Sequence, residues 1–399
     1  MIRKPRLLTP GPTPLLPAAQ RALAAAEVHH RSDEFRRVFT AVLADLKYFY
    51  GTANDVMLFT SSGTGAMEAA ISNLFSAGER VLVATSGKFG ERWVELARAF
   101  GLEVECVAAP YGRAVPAGAV AEKLRAGRGE IRGVFVQATE SSTGVRQDVR
   151  GIAEAVRDAS DGAPDERQPL FVVDAITGLG TSHLDVDGWG LDIVIGGSQK
   201  ALMIPPGLAF ASVSERAWQR RESARLPRYY FDLRRERQSA KKGEASWTPS
   251  TALVLGLGEA LRYVRELGRE RLIANAHLLA EATRAGVAAM GLKLFAPDSP
   301  CDALTAVCAP PGLDSGAILK QMRSRFGTAL ANGQGDLRGR IFRMAHLGYF
   351  DFPETVGVLA SLELVLDALK VPVKLGEAAR AAQQVYLRLQ EADQAEAAP

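Results

Sequence analysis

Between positions 56 and 212 the sequence repeatedly places a short apolar run ahead of a stretch with helical spacing, and this alternation limits the possible folds more than any other feature. The runs are Val56–Phe59, Arg80–Ala84, Val104–Val107, Gly133–Gln137, Leu170–Val173, Ile193–Ile195 and Leu208–Ser212. Between most of them lie Gly65–Phe75, Glu91–Phe100, Val120–Ala126 and Val149–Ala159, spaced as helices. A strand that is apolar along its whole length has no face to offer water and must be covered on both sides. The expectation is an α/β fold, a mainly parallel mixed sheet sandwiched by helices.

This large domain is expected over 20–255, after a proline-rich arm over 1–19. Leu23, Phe35, Val38, Phe39, Val42, Leu43 and Leu46 recur at helical spacing just past the arm. A smaller α+β unit with its linking helix is expected over 256–377. Its long helical pattern runs from about Thr251 to Arg271 and on to Met290. Strands at Leu292–Phe295, Ala303–Cys308 and Ile341–Ala345 and helices at Ser315–Phe326 and Glu354–Leu369 complete it. Over 378–399 an amphipathic helix fades into a polar tail, Glu391–Pro399, and the polar segment Asp161–Pro169 reads as a surface loop.

A formal charge of +3 on 399 residues gives nucleic-acid binding no support. Arginines do gather between Arg216 and Lys242, but interleaved with Glu, Tyr and Phe, as in a solvated loop or a subunit contact. Cys106, Cys301 and Cys308 lack the spacing of a zinc site or a disulfide framework. Free and mostly buried thiols suit a reducing cytoplasm, and no metal is expected. The start, Met1-Ile2-Arg3-Lys4-Pro5, lacks the apolar stretch of a secretory signal, and no apolar run is long enough for a membrane span.

The segment Leu191-Asp192-Ile193-Val194-Ile195-Gly196-Gly197-Ser198-Gln199-Lys200 ends a buried strand in two glycines, a serine, a glutamine and a lysine. Ligands of open α/β sheets bind at the carboxyl ends of strands, so Lys200 is aimed at a site. Kept from bulk water, its amine would lose basicity and could attack an aldehyde. The bland alternative is a solvated lysine at a helix start.

One strand earlier, Leu170-Phe171-Val172-Val173-Asp174 sets a carboxylate at the same kind of strand end, either a functional acid or a helix cap. Thr60-Ser61-Ser62-Gly63-Thr64-Gly65 opens a helix after a strand and offers hydroxyls and free amides, a phosphate seat or an ordinary cap. Phe89, between glycines after the next strand, has the form to stack on a ring or simply to pack. Hydroxyls follow another strand in Ala138-Thr139-Glu140-Ser141-Ser142-Thr143-Gly144. Arg343, inside a strand of the smaller unit, needs an anion if buried: a substrate carboxylate or a structural ion pair.

Taken in this order, the segments resemble the class V aminotransferases of pyridoxal-5'-phosphate (PLP) fold type I, the alanine–glyoxylate and serine–glyoxylate (serine–pyruvate) enzymes above all. The resemblance runs from Thr9-Pro10-Gly11-Pro12 to the strand around Arg343. It is most specific at Glu140-Ser141-Ser142-Thr143-Gly144, Val173-Asp174-Ala175 and Gly197-Ser198-Gln199-Lys200-Ala201-Leu202 with Pro205-Pro206-Gly207.

The resemblance implies that Lys200 joins the cofactor as a Schiff base and that Asp174 pairs with its ring nitrogen. Ser62, Gly63, Thr64 and Gln199 would hold the phosphate, Phe89 would stack on the ring, and Ser141 would lie beside it. Gly11, Ser141 and Arg343 would bind the substrate. Thr248 would complete the phosphate site of a neighbouring subunit, making a homodimer the active unit. Phe89 stands where the family's alanine–glyoxylate enzymes carry tryptophan, and Ala245 where they carry a tyrosine that reaches the phosphate.

The implied reaction moves an amino group from alanine, serine or aspartate to a 2-oxo acid such as glyoxylate or pyruvate. The arm and His29-His30-Arg31, near the entrance by the same resemblance, would favour a small or acidic donor. The rivals are a PLP lyase of this fold and a non-catalytic scaffold. A desulfurase would need a thiol shortly before Arg343, and the span 323–340 contains none.

Overall fold

A computed structural model describes residues 2–25, 27–127, 129–160 and 167–396. The apolar runs form one seven-stranded sheet: β1 (Asp55–Phe59), β2 (Arg80–Thr85), β3 (Glu103–Ala108), β4 (Ile131–Gln137), β5 (Leu170–Asp174), β6 (Ile193–Gly197) and β7 (Ala209–Val213), in the spatial order β1-β7-β6-β5-β4-β2-β3. Only β7 runs against its neighbours. Strands β4 to β7 are buried almost throughout, which is why they read as unbroken apolar runs. Their side chains feed two cores, one on each face of the sheet.

Helices α1 (Pro17–Leu23), α2 (Asp33–Tyr50), α3 (Gly63–Leu74), α4 (Lys88–Ala99), α5 (Ala117–Ala126) and α6 (Val149–Ser160) cover it. In α2, Phe35, Phe39, Val42, Leu46 and Phe49 are buried at spacings of three and four. Ser32 caps its start by accepting from the Phe35 amide at 3.2 Å, and Gly51 ends it in the left-handed region.

Because β7 alone is reversed, β1, β2, β4, β5 and β6 all end at one edge of the sheet. The segments that carry the chemistry follow those ends.

The arginine-rich stretch is not a solvated loop. It forms α7 (Glu215–Ser223) and α8 (Leu233–Ala240), with Arg220 and Arg221 buried. The Arg220 guanidinium donates to the Gln168 carbonyl at 2.7 Å, and Arg221 pairs with Asp232 at 3.0 Å. The long pattern from Thr251 to Met290 is two helices, α9 (Thr251–Leu267) and α10 (Arg269–Ala289). Gly268 breaks it with φ +91°, a conformation that side-chain-bearing residues avoid.

A second core gathers around a three-stranded sheet, β8 (Leu304–Cys308), β9 (Ala331–Asn332) and β10 (Ile341–Ala345), in the order β8-β10-β9. Helices α11 (Ser315–Phe326), α12 (Phe352–Ala368) and α13 (Glu377–Glu396) pack with it. The expected strand Leu292–Phe295 is only an isolated bridge from Leu294 to Val307. Gly291, at φ +71°, and Pro297, which has no amide hydrogen to donate, bound it on either side. The segment lies along the outer edge of β8, where the Phe295 amide donates to the Ala306 carbonyl at 2.9 Å, while the short β9 pairs with the opposite side of β10.

Helix α13 also continues to Glu396 rather than giving way near Glu391, as the good helix formers Gln390, Glu391, Ala392 and Gln394 favour. Residues 397–399 of the tail, and 161–166 of the loop expected over Asp161–Pro169, lie outside the described residues. Of the three thiols only Cys301 is in the core; Cys106 is exposed. Among the described residues no helix is long and apolar enough to cross a membrane.

The arm laces the two sheets together. Arg6–Leu7 pairs with Thr328–Ala329, and the Leu8 carbonyl accepts from the Ala345 amide at 3.0 Å. Thr13 then donates through its amide to the Gln199 carbonyl at 3.2 Å and through its hydroxyl to the Lys200 carbonyl at 2.9 Å.

Candidate active site

At the shared strand edge lies a cavity of about 260 Å³. Its walls take Ser62, Gly63 and Thr64 from the turn after β1, Phe89 after β2, Thr139 and Ser141 after β4, Asp174 from the end of β5, and Gln199 and Lys200 after β6. Gly11 and Pro12 of the arm close one side.

Lys200 is buried, not solvated, and its amine donates to the Pro10 carbonyl. Desolvation pulls its pKa down to about 8, with the Asp174 carboxylate opposing and Arg343 assisting the shift. Gly11 is needed here. A methyl on it would stand 2.6 Å from the Lys200 Nζ and 2.7 Å from Cε, at φ +122°. Gly11→Ala is therefore expected to slow capture of an aldehyde by Lys200 about tenfold, read as the growth rate of the visible band on adding PLP. An unchanged rate would mean that the arm does not press on Lys200.

Asp174 is fully enclosed. Burial raises its pKa to about 6, an effect only partly offset by the Ile176 amide, which donates to Oδ1 at 3.0 Å. The turn-capping reading thus describes one carboxylate oxygen; Oδ2 has no hydrogen-bond partner among the described residues.

Ser62 precedes α3 without capping it through its side chain. The amides of Gly63 and Thr64 find no acceptor among the described residues, so donors and the positive end of α3 face the cavity. The buried Thr139 hydroxyl also lacks a partner there. An amine, an enclosed acid, unspent amides and an orphaned hydroxyl around one cavity fit a phosphorylated aromatic aldehyde.

Arg343, in β10, lies behind Ser141. Its Nη1 donates to the Ser141 carbonyl at 2.7 Å, and Nε and Nη2 both donate to the Asn332 carbonyl at 3.1 and 2.7 Å. Two of its five N–H groups remain, and no carboxylate pairs with it among the described residues. The structural ion pair is thus not what the arginine makes. Burial lowers its pKa to about 10.

Two expected participants lie elsewhere. Thr248 is exposed and does not line the cavity of its own chain. His29, His30 and Arg31 sit in the link between α1 and α2, and none lines the cavity either.

Two side chains escaped sequence reasoning. Glu140 is buried and accepts from the amides of Phe89 and Gly90 at 3.1 Å each and from the Ser142 hydroxyl at 2.6 Å. It fastens the start of α4, and so the Phe89 backbone, to the turn carrying Ser141. Its one signal was a carboxylate at the end of an apolar run. Arg92 lines the cavity one turn beyond Phe89 and left no signal.

The family model for class V aminotransferases matches residues 18–334. The chain is 41% identical over 361 residues to the soluble hydrogenase 42 kDa subunit of Anabaena cylindrica, covering 90% of this chain and 92% of that one. It is 36% identical over 396 residues to the L-aspartate–glyoxylate aminotransferase of Paracoccus denitrificans, covering 98% of each. Among solved structures, a subgroup IV aspartate aminotransferase from Thermus thermophilus matches with a TM-score of 0.84 at 35% identity, covering 92% of this chain and all of that one. Among the described residues no three His, Cys, Asp or Glu side chains gather to hold a metal.

Proposed function

The chain belongs to the class V aminotransferases, and from that premise we propose that it transfers the amino group of a small amino acid, aspartate before serine or alanine, to a 2-oxo acid such as glyoxylate. Like its family it is a PLP-dependent enzyme. The observation that carries the reading is that Lys200 and Asp174 face one cavity while Arg343, buried and without a carboxylate, stands behind its wall. Aspartate comes first because the Paracoccus and Thermus proteins are named for it.

PLP, when bound, supplies the sink for the charge left as the donor's Cα loses its proton. Each protein group then has one task. Gly63 and Thr64 would donate their amides to the phosphate, with Ser62 and Gln199 beside them. Asp174 would hold the proton on the ring nitrogen, and Phe89 would pack against the ring. Arg343 turns its two unused N–H groups to the donor's α-carboxylate, which fixes the Cα relative to Lys200. The Lys200 amine, freed by the donor, would remove the Cα proton as base and then, protonated, give it back as acid. Burial in the cavity keeps water from competing for that proton.

Thr248 stands beside the stacked rings of Tyr230 and Trp247, on exposed surface. We assign it to the phosphate seat of a second copy, so that the active unit is a homodimer.

The pKa of Lys200 sets a pH dependence. Its protonated amine cannot attack an aldehyde, so cofactor capture should rise about tenfold per unit below pH 8 and level off above it. A profile that stays on that slope to pH 10 would show an unshifted lysine.

The function itself is tested by absorbance. A visible band that aspartate bleaches and glyoxylate restores is the expected result. A band that no amino acid moves would overturn transamination; ammonia and pyruvate released from serine without an acceptor would mark a lyase.

A further inference from the structure

We propose that Arg92 binds the cofactor's phosphate and supplies the positive charge that the rest of the phosphate seat lacks. This rests on the reading above that the cavity takes PLP. Arg92 follows Phe89 by three residues in α4, which puts both on one face of the helix. Its guanidinium carbon lies 4.9 Å from the centre of the Phe89 ring, and Nη1 lies 3.5 Å from the Thr64 hydroxyl oxygen. It shares the cavity wall with Ser62, Gly63 and Thr64.

The charges around it are otherwise settled. The adjacent carboxylate, Glu91, is held by Lys88 at 2.8 Å and by the Tyr111 hydroxyl. Several arginines elsewhere have acids: Arg36 pairs with Glu244 at 2.6 Å, Arg216 with Asp192 at 2.9 Å and Arg284 with Asp302 at 2.8 Å. Arg92 has no carboxylate partner among the described residues.

The other groups assigned to the seat within this chain are neutral: two amides, two hydroxyls and the Gln199 carboxamide. A phosphate monoester carries close to two negative charges at neutral pH. Neutral dipoles alone leave much of that charge unbalanced, and the planar fork of arginine matches phosphate oxygens. Contact with the Phe89 ring restrains the guanidinium beside the seat.

The test compares two ligands that differ only in the phosphate. Cofactor-free wild type, Arg92→Gln and Arg92→Lys are titrated with PLP and with pyridoxal, and binding is read from the visible band and from protein fluorescence. Circular dichroism checks that each variant is folded. Arg92→Gln is expected to weaken PLP binding by about 10- to 100-fold, as for a lost charged hydrogen bond. Pyridoxal binding should stay within about twofold of wild type, and Arg92→Lys should recover part of the loss.

Equal losses for both ligands would overturn the proposal and make Arg92 a prop for Phe89. Unchanged PLP affinity with a raised KM for aspartate, but not for alanine, would also overturn it and give Arg92 to the donor's second carboxylate. Wild type that binds neither ligand would instead refute the PLP reading itself.

Discussion

Lys200→Ala is expected to cut steady turnover at least about 10⁴-fold, the largest effect of any single change in this chain. The variant removes both the nucleophile that captures the cofactor and the base that moves the Cα proton, and among the described residues no other amine lines the cavity. The fold should tolerate the loss. A buried amine with a pKa lowered to about 8 is held at a cost in desolvation, so a methyl in its place removes that cost. The seat for the phosphate is untouched, so PLP should still bind, without the absorbance of a lysine-linked cofactor. Small alkylamines added from solution should restore part of the proton transfer, which a misfolded variant would not allow. Turnover is measured as glyoxylate-dependent loss of aspartate. A rate within tenfold of wild type would remove Lys200 from the mechanism.

Lys200 and Asp174 were legible because Asp174 ends an apolar strand and Lys200 follows the end of the next by three residues, where a polar residue points to a task at the strand edge. The same logic located Ser62–Thr64 and the turn at Ser141. The sheet was legible for a related reason, since strands buried on both faces cannot alternate with polar residues.

What was hidden depends on contacts between distant parts of the chain. Glu140 is an unremarked acid until the start of α4, some fifty positions earlier, delivers two amides to it. The Asn332 carbonyl that receives Arg343 is a backbone atom, and its sequence position carries no mark of that. The helix pattern through Gly268 kept its apolar period across the break, so periodicity alone joined α9 to α10. Leu292–Phe295 looked like a strand by composition, yet between Gly291 and Pro297 it pairs with β8 only through one bridge, from Leu294 to Val307.

Arg343→Ala is expected to lower kcat/KM for amino acid donors by about 10³-fold, the loss typical when a buried charged hydrogen-bonding partner is removed. The arginine can lose this much because it is pre-positioned. Its contacts to the Asn332 and Ser141 carbonyls are spent on orientation, leaving two N–H groups for an anion. Among the described residues no carboxylate pairs with it, and Glu140 acts on it only through space, so its two remaining N–H groups are left for a substrate. Arg343→Lys should rescue little, because an ammonium cannot hold two carbonyls and a carboxylate in one plane.

The loss must be separated from a structural one, since Arg343 also ties β10 to the turn carrying Ser141. A simple alkylamine, which lacks the carboxylate, makes that separation. Wild type should process it poorly, and Arg343→Ala should process it no worse. If the variant lost activity toward the alkylamine as steeply as toward aspartate, the arginine would be holding the turn rather than the substrate. If aspartate turnover barely changed, the donor's α-carboxylate would have to be bound by another group at the cavity, with Arg92 the first to test.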